Sequence, residues 1–257
     1  MSTSNTESPD QPRGPAAPAD FKGPDPVERG AVVDGVAQAL DARLYMQLHV
    51  LTGCTDSGRV IPAARESGLD LVIYASLNDP RGIGVLLMSQ DPETFVGAGR
   101  DLLVSEPFRS LTPVPDLTMI GRTYASGREK DLADWLLVHS RRNALSAGNP
   151  WALWYPLRRT GAFNRLPRTE QLRMMGEHSW IGRSYGEAGL AADIRLECHG
   201  LDRNDNEFVI GILGSRLHAL SKLIKDMRLT RQTSEFMESM GPFFVGRAIH
   251  QSPFSQV

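Results

Sequence analysis

Apolar positions alternate with polar ones, or run unbroken for a strand's length, in LYMQLHVL (44–51), LDLVIYASL (69–77), GIGVLLMS (82–89) and DLTMIGRTYA (116–125). Such patterns predict β-strands. Between them, helical spacing predicts a short helix around Ile61–Glu66 and another over DPETFVGAGRDLLVS (91–105), opened by Asp91 and Pro92. The first half therefore spells β-α-β-β-α-β. The second half repeats the order: strand WALWYPLRR (151–159), helix Arg168–Tyr185, strand AADIRLECHGL (191–201), strand EFVIGILG (207–214), helix SRLHALSKLIKDMR (215–228) and a last strand PFFVGRAIH (242–250).

A repeat of element order predicts an α+β fold made of two ferredoxin-like antiparallel sheets, forming one barrel-like domain. The expected organisation is a disordered Pro-rich tail (1–26), a first ferredoxin-like half (27–125), a helical connector (126–150) and a second half (151–257). A short helix is expected over DPVERGAVVDGVAQALDARL (25–44), and Leu132, Trp135, Leu136 and His139 suggest one in the connector. The tail holds six prolines and little that could form a core.

Composition narrows the function classes. The 257 residues are 41% hydrophobic and 23% charged, with a net charge of −2, so no basic footprint for nucleic acid is present. No apolar run is long enough to span a membrane, and MSTSNTESPDQPRG lacks the basic and apolar parts of a secretory signal, so a cytoplasmic protein is expected. The two cysteines, Cys54 and Cys198, stand alone and supply neither a disulfide framework nor a covalent haem attachment. DRNDNE (202–207) has Glu207 where a calcium loop needs glycine and reads as a polar hairpin turn. GAG (97–99) lacks the spacing of a dinucleotide fingerprint.

One histidine stands out. Met174, His178, Ile181 and Tyr185 are spaced by four, three and four residues, so His178 shares an apolar helical stripe that should face the protein. It is either a core histidine with satisfied ring nitrogens or a metal ligand. His49, His139, His218 and His250 have no carboxylate or cysteine partner at ligand spacing and read as structural. In the strand after the helix, alternation places Asp193, Arg195, Glu197 and His199 on one face.

The block YPLRRTGAFNRLPRTEQLRMMGEHSWIGRSYG, followed by HGLDRNDNEFVIGI, LIKDMR and GPFFVG, resembles the chlorite dismutase superfamily of haem proteins, which includes chlorite dismutases and coproheme decarboxylases. The likeness covers 151–249 in residues and the earlier chain in element order alone. It implies a non-covalently held iron porphyrin, haem b or coproheme, bound in the second half. His178 matches the proximal iron ligand, with Met174 and Ile181 beside the porphyrin. Tyr155 matches the redox-active tyrosine of the decarboxylases, and Arg159 stands where they carry a lysine, suited to clamping a propionate. Asp193 falls at the distal position that is arginine in chlorite dismutases and glutamine in decarboxylases. If that face meets the porphyrin, Arg195 is the anion stabiliser and Asp193 an acid or base toward peroxide. The hydrogen-bond partner of the proximal histidine is expected among Gln232, Thr233 and Glu235.

The function implied is peroxide-dependent, coproheme-decarboxylase-like oxidation of porphyrin propionates. The alternatives are decomposition of chlorite to chloride and dioxygen, and non-catalytic haem binding or transfer. The partners implied are a small molecule (peroxide, porphyrin or an oxyanion) and further copies of the chain in a homo-oligomer, commonly a pentamer.

Overall fold

In the stretch Tyr45–Thr52, Met46, Leu48 and Val50 are buried, while Tyr45, Gln47 and His49 between them are half-buried. This is the period-two signature of a strand with two unlike faces. The structure, a computed structural model, describes residues 23–254, so most of the expected tail lies outside the described residues.

The first half contains β1 (Glu28–Val33), β2 (Val36–Leu40), β3 (Tyr45–Thr52), α1 (Ser57–Glu66), β4 (Leu71–Ser76), β5 (Ile83–Ser89), α2 (Glu93–Val96), α3 (Ala98–Val104), β6 (Thr112–Pro113) and β7 (Met119–Arg122). A widened helical segment, Asp134–His139, then runs directly into α4 (Ser140–Leu145). The second half contains β8 (Trp151–Arg159), α5 (Gly161–Asn164), α6 (Arg168–Glu187), β9 (Ala192–Glu197), β10 (Phe208–Gly214), α7 (Leu217–Met227), α8 (Arg231–Phe236), β11 (Met237–Met240) and β12 (Phe244–Gln251). Among the described residues no helix is long and apolar enough to cross a membrane.

Two expectations are corrected. The segment 25–44 contains no helix: it is the antiparallel hairpin β1–β2, turned by Asp34 and Gly35 at φ 50° and 80°. Two consecutive positive φ values suit an Asp-Gly pair and match the twist of the flanking strands. Gln38 fixes the hairpin to the connector, its Nε2 donating to the Glu129 carbonyl and its Oε1 accepting from the Leu132 N–H.

The second correction concerns the sheet. In place of two ferredoxin-like sheets forming a barrel-like domain, the chain builds one ten-stranded antiparallel sheet along the path β10-β9-β7-β3-β5-β4-β12-β8-β11, with β6 beside β3. It branches at β8, which also pairs with β10, and its path ends on the short edge strand β11. Element order could not foretell this, because it says nothing about which sheet edges meet. An edge strand presents unpaired N–H and C=O groups. Here β12 of the second half satisfies β4 of the first from Gln251–Val72 to Gly246–Ser76, and β9 meets β7 at Glu197–Arg122.

Three apolar clusters follow from the two sheet faces. Met46, Leu48, Trp154, Ile194, Leu196 and Phe244, from both halves, share one. A second lies under the helices of the first half, around Ile73, Val85, Phe95 and Phe108. The third gathers Leu153, Tyr155, Leu157 and Ile212 with Leu220, Leu223 and Ile224 of α7, and Ile181 and Tyr185 of α6 pack on it.

Candidate functional site

Register places the candidate side chains. Tyr155 of β8 pairs with Ile210 of β10, which pairs with Arg195 of β9; the next row is Leu153, Ile212 and Asp193. Directly opposed residues share a face. Tyr155, Asp193 and Arg195 therefore project to the side on which α6 and α7 pack, and Arg159, four residues from Tyr155, projects there too. The polar run on β9 thus looks toward the α6 side of the sheet, opposite the buried Ile194 and Leu196.

Helix α6 brings its stripe to the same side. Met174 is buried, and Ile181 and Tyr185 pack on the Tyr155 cluster. Tyr185 donates to Asp226 of α7 at 2.6 Å, and Lys222 grips the same carboxylate, tying the two helices together. His178 Nδ1 lies 3.4 Å from Thr230 Oγ1. That hydroxyl donates to the Met227 carbonyl at 2.8 Å, so its oxygen is left to accept the Nδ1–H and Nε2 carries the ring's lone pair. Burial holds the imidazole down at about 4, the Arg195 guanidinium pushing the same way and the Asp193 carboxylate opposing. The ring is therefore neutral at physiological pH.

Of the other groups, Tyr155 and Arg159 are enclosed, whereas Asp193 and Arg195 are partly open to solvent. Tyr155 is buried and stacks on Phe243 with ring centroids 4.5 Å apart. Burial raises its phenol, Asp193 adding to the rise and Arg228 opposing it. Asp193 and Arg195 form an ion pair at 2.9 Å, and the Arg195 guanidinium lies 5.1 Å from the Trp135 ring centre. Arg159 sits over the rings of Phe163 and Phe208, its Nε bonded to Glu207 at 2.8 Å. Its terminal nitrogens remain to grip an anion, while Nε is committed.

Of the residues singled out in the sequence, Asp193 and Arg195 lie close enough to His178 for their charges to act on it, Ile181 packs on the Tyr155 cluster, Met174 is buried, and Arg159 is held by Glu207. Sequence reasoning missed Thr230, Phe243, Glu207 and Trp135. Thr230 precedes α8 at a helix-start position, yet its side chain caps nothing there; among the described residues it, and not Gln232, Thr233 or Glu235, meets His178, Thr233 bonding the Thr230 hydroxyl instead at 3.2 Å. The N-cap position of Thr230 was the available signal. The 202–207 turn is self-contained, the Asp202 carboxylate accepting from the Asn204 and Asn206 N–H groups and from the Asn206 amide. Among the described residues no group of three or more His, Cys, Asp or Glu could hold a bare metal ion.

The family model for chlorite dismutase matches residues 84–249, well over half of the chain, and the chain belongs to that family. The match reaches back into the first half, beyond the 151–249 block where the residues carry the likeness. The fold is similar to a heme-binding protein from Thermus thermophilus, at 19% identity over 81% of this chain and 92% of that one, with a TM-score of 0.63. It is also similar to chlorite dismutase from Candidatus Nitrospira defluvii in complex with imidazole, at 16% identity, 81% and 92% coverage and a TM-score of 0.62. No curated protein sequence matches the chain.

Proposed function

We propose that the chain holds an iron porphyrin non-covalently on the α6 side of β8 and β9, with His178 as the residue that would bind its iron, and uses peroxide to oxidise porphyrin propionates in the manner of a coproheme decarboxylase. The observation that carries this reading is the neutral His178 imidazole, with Nδ1 anchored by Thr230 and Nε2 left for a metal, in the same charged neighbourhood as Tyr155, Asp193 and Arg195. The donor set fits the group. One imidazole is too little for a bare ion, but a porphyrin supplies four nitrogens of its own and asks the protein for one axial ligand.

When bound, the iron supplies the oxidising power drawn from peroxide. The chain's residues do the rest. Thr230 fixes the imidazole's tautomer and orientation, as outer hydrogen bonds do for metal-bound histidines. Burial keeps Tyr155 as the protonated phenol, so any oxidation of this ring would have to release its Oη proton, for which Asp193 is the nearby carboxylate acting on it. Asp193, whose charge acts on both Tyr155 and His178, is the carboxylate we assign as acid or base. Arg195 stabilises anionic charge beside it, and Arg159 offers its terminal nitrogens to a propionate. The homo-oligomer implied by the resemblance belongs to the same proposal, with Trp180 and Leu229, 70% and 77% exposed, as apolar side chains for it to cover.

The Asp193–Arg195 ion pair favours one second reading. With its Nε held by Asp193 at 2.9 Å, Arg195 faces a partner of its own in place of an oxyanion, an arrangement that suits haem binding or transfer without turnover and counts against chlorite decomposition. The deciding experiment titrates the full chain and His178→Ala with haem and with iron coproporphyrin, then adds peroxide and weighs the porphyrin. A Soret band that depends on His178, with loss of carboxyl groups from coproporphyrin that stops in Tyr155→Phe, is expected. Binding without mass change selects the second reading, and binding that survives His178→Ala refutes the ligand assignment.

A further inference from the structure

The first half carries a cleft of about 490 Å³ between the outer face of β3 and the α2–α3 region. Its walls are apolar, with Phe95, Leu103 and Phe108 among them. Two polar side chains, Gln47 and His49, sit on its floor in a face otherwise built of the Ile73, Val85 and Leu87 cluster. Gln47 Oε1 is buried without a hydrogen-bond partner. An orphaned buried acceptor is rare in native proteins and asks for an explanation. The His49 ring is largely desolvated with no charged group acting on it. At the mouth stand Arg100 and Arg109, both exposed, beside Val96 and Val104, and the lining contains no carboxylate. Glu106, the ion-pair partner of Arg109 at 3.1 Å, is not part of the lining.

The register gives a second, independent reason to read this as a site. Leu48 of β3 pairs with Leu86 of β5 and Met119 of β7, as Trp154 of β8 pairs with Gly211 of β10 and Phe244 of β12. The partner strands even share a pattern, MIGR at 119–122 and FVGR at 244–247. His49, one residue beyond Leu48, therefore occupies in the first half the place that Tyr155 occupies in the second. Both halves of the chain thus present a polar ring at an equivalent strand position.

We propose that this cleft binds a small amphipathic organic acid. Its apolar body fills the slot, its carboxylate meets Arg100 and Arg109, and the Gln47 amide turns its Oε1, closed to solvent in the free chain, toward a hydroxyl or N–H of the ligand. The volume is that of ordinary small-molecule sites. Apolar walls with a few convergent polar groups and a cationic mouth select an organic acid over an inorganic anion, which has nothing for the walls to cover, and over a neutral lipid, which leaves the arginines unused.

The test uses the full chain and 8-anilinonaphthalene-1-sulfonate, a probe with an aromatic body, one N–H and one anionic group, followed by displacement with 12-hydroxydodecanoate. One-site binding is expected, weakened by about tenfold or more, roughly the loss of one charge-assisted contact, in Arg100→Glu/Arg109→Glu. Gln47→Leu should weaken the probe without lowering the melting temperature, and His178→Ala should bind it as the parent does. Unchanged affinity in the double variant, no binding at all, or loss of binding in His178→Ala overturns the proposal, the last by placing the probe in the second half. Sedimentation velocity at probe saturation should show an unaltered oligomeric state. Dissociation by the probe would mean that a second copy covers the cleft, and would also overturn it.

Discussion

His178 and His49 are imidazoles whose ordinary pKa near 6.5 is pushed by burial to about 4. The consequence is a pH-dependent stability whose sign is fixed. Above pH 6.5 neither folded nor unfolded chain protonates these rings, and they add no pH dependence. Below it, the unfolded chain binds protons that the folded chain refuses, so stability falls toward about pH 4 by up to ~1.4 kcal/mol per pH unit for each histidine. Urea unfolding of the parent between pH 7 and pH 5 should show this loss, and His49→Gln should flatten the slope; parallel slopes would mean that the ring is not buried neutral. Thr230 carries a different prediction, because it holds the imidazole without a charge. Thr230→Ala should weaken haem binding by about 10–100-fold, the range for lost outer-shell partners, whereas Thr230→Ser keeps the acceptor and should bind nearly as the parent. Equal losses in both, read from Soret titrations, would leave the hydroxyl without a role.

The elements divide by how much of their stability is written locally. Strands β3, β5, β8 and β10 and helices α6 and α7 carry their own period, and each was legible from alternation or helical spacing. Alternation also put Asp193 and Arg195 on one face of β9, but that Tyr155 of β8 shares it follows only from the register through β10. Strand β11 was not legible: MESM (237–240) has no pattern, and its extended form comes from pairing with Arg159 and Leu157 across a bulge. The β1–β2 hairpin is a different case, for its Asp-Gly turn between valines was present in the sequence and was outweighed by an apparent helical period. Thr230 and Phe243 come from the chain beyond α7, and of the two only Thr230, at the N-cap of α8, carried a local signal. For α6 itself, with Met174 its one fully buried residue, the hold on α7 through Tyr185 and Asp226 matters more than core packing. Tyr185→Phe should therefore speed amide exchange in α6 several-fold while leaving β8 and β10 protected, as hydrogen exchange with mass detection would show. Uniform acceleration across the second half would instead mean a global loss of stability.

At the scale of the whole molecule, the question is whether a repeated element order makes two folding units. The shared sheet argues for one. Arg122 and Glu197 join the halves across β7 and β9 by strand pairing and by an ion pair at 3.0 Å, and Ser252, after β12, bonds the Leu71 N–H and the Leu69 carbonyl at the start of β4. The packing is more binding still. A Cβ on Gly84 of β5 would lie 2.6 Å from the ring of Phe244 on β12, so a second-half aromatic occupies the space that a first-half side chain would need. Gly84→Ala should cost about 1–3 kcal/mol, the range for overpacking a closed core. The tryptophans make this a test of cooperativity, because Trp135, Trp151, Trp154 and Trp180 all lie outside residues 27–125. If the halves unfold as one unit, tryptophan fluorescence and far-UV circular dichroism should give coincident denaturant midpoints in the parent. The Gly84→Ala change, made in the half that has no tryptophan, should then lower both midpoints equally. A fluorescence midpoint that stays put while the dichroism midpoint falls would mean that the first half melts alone and that the strand seams do not couple the two.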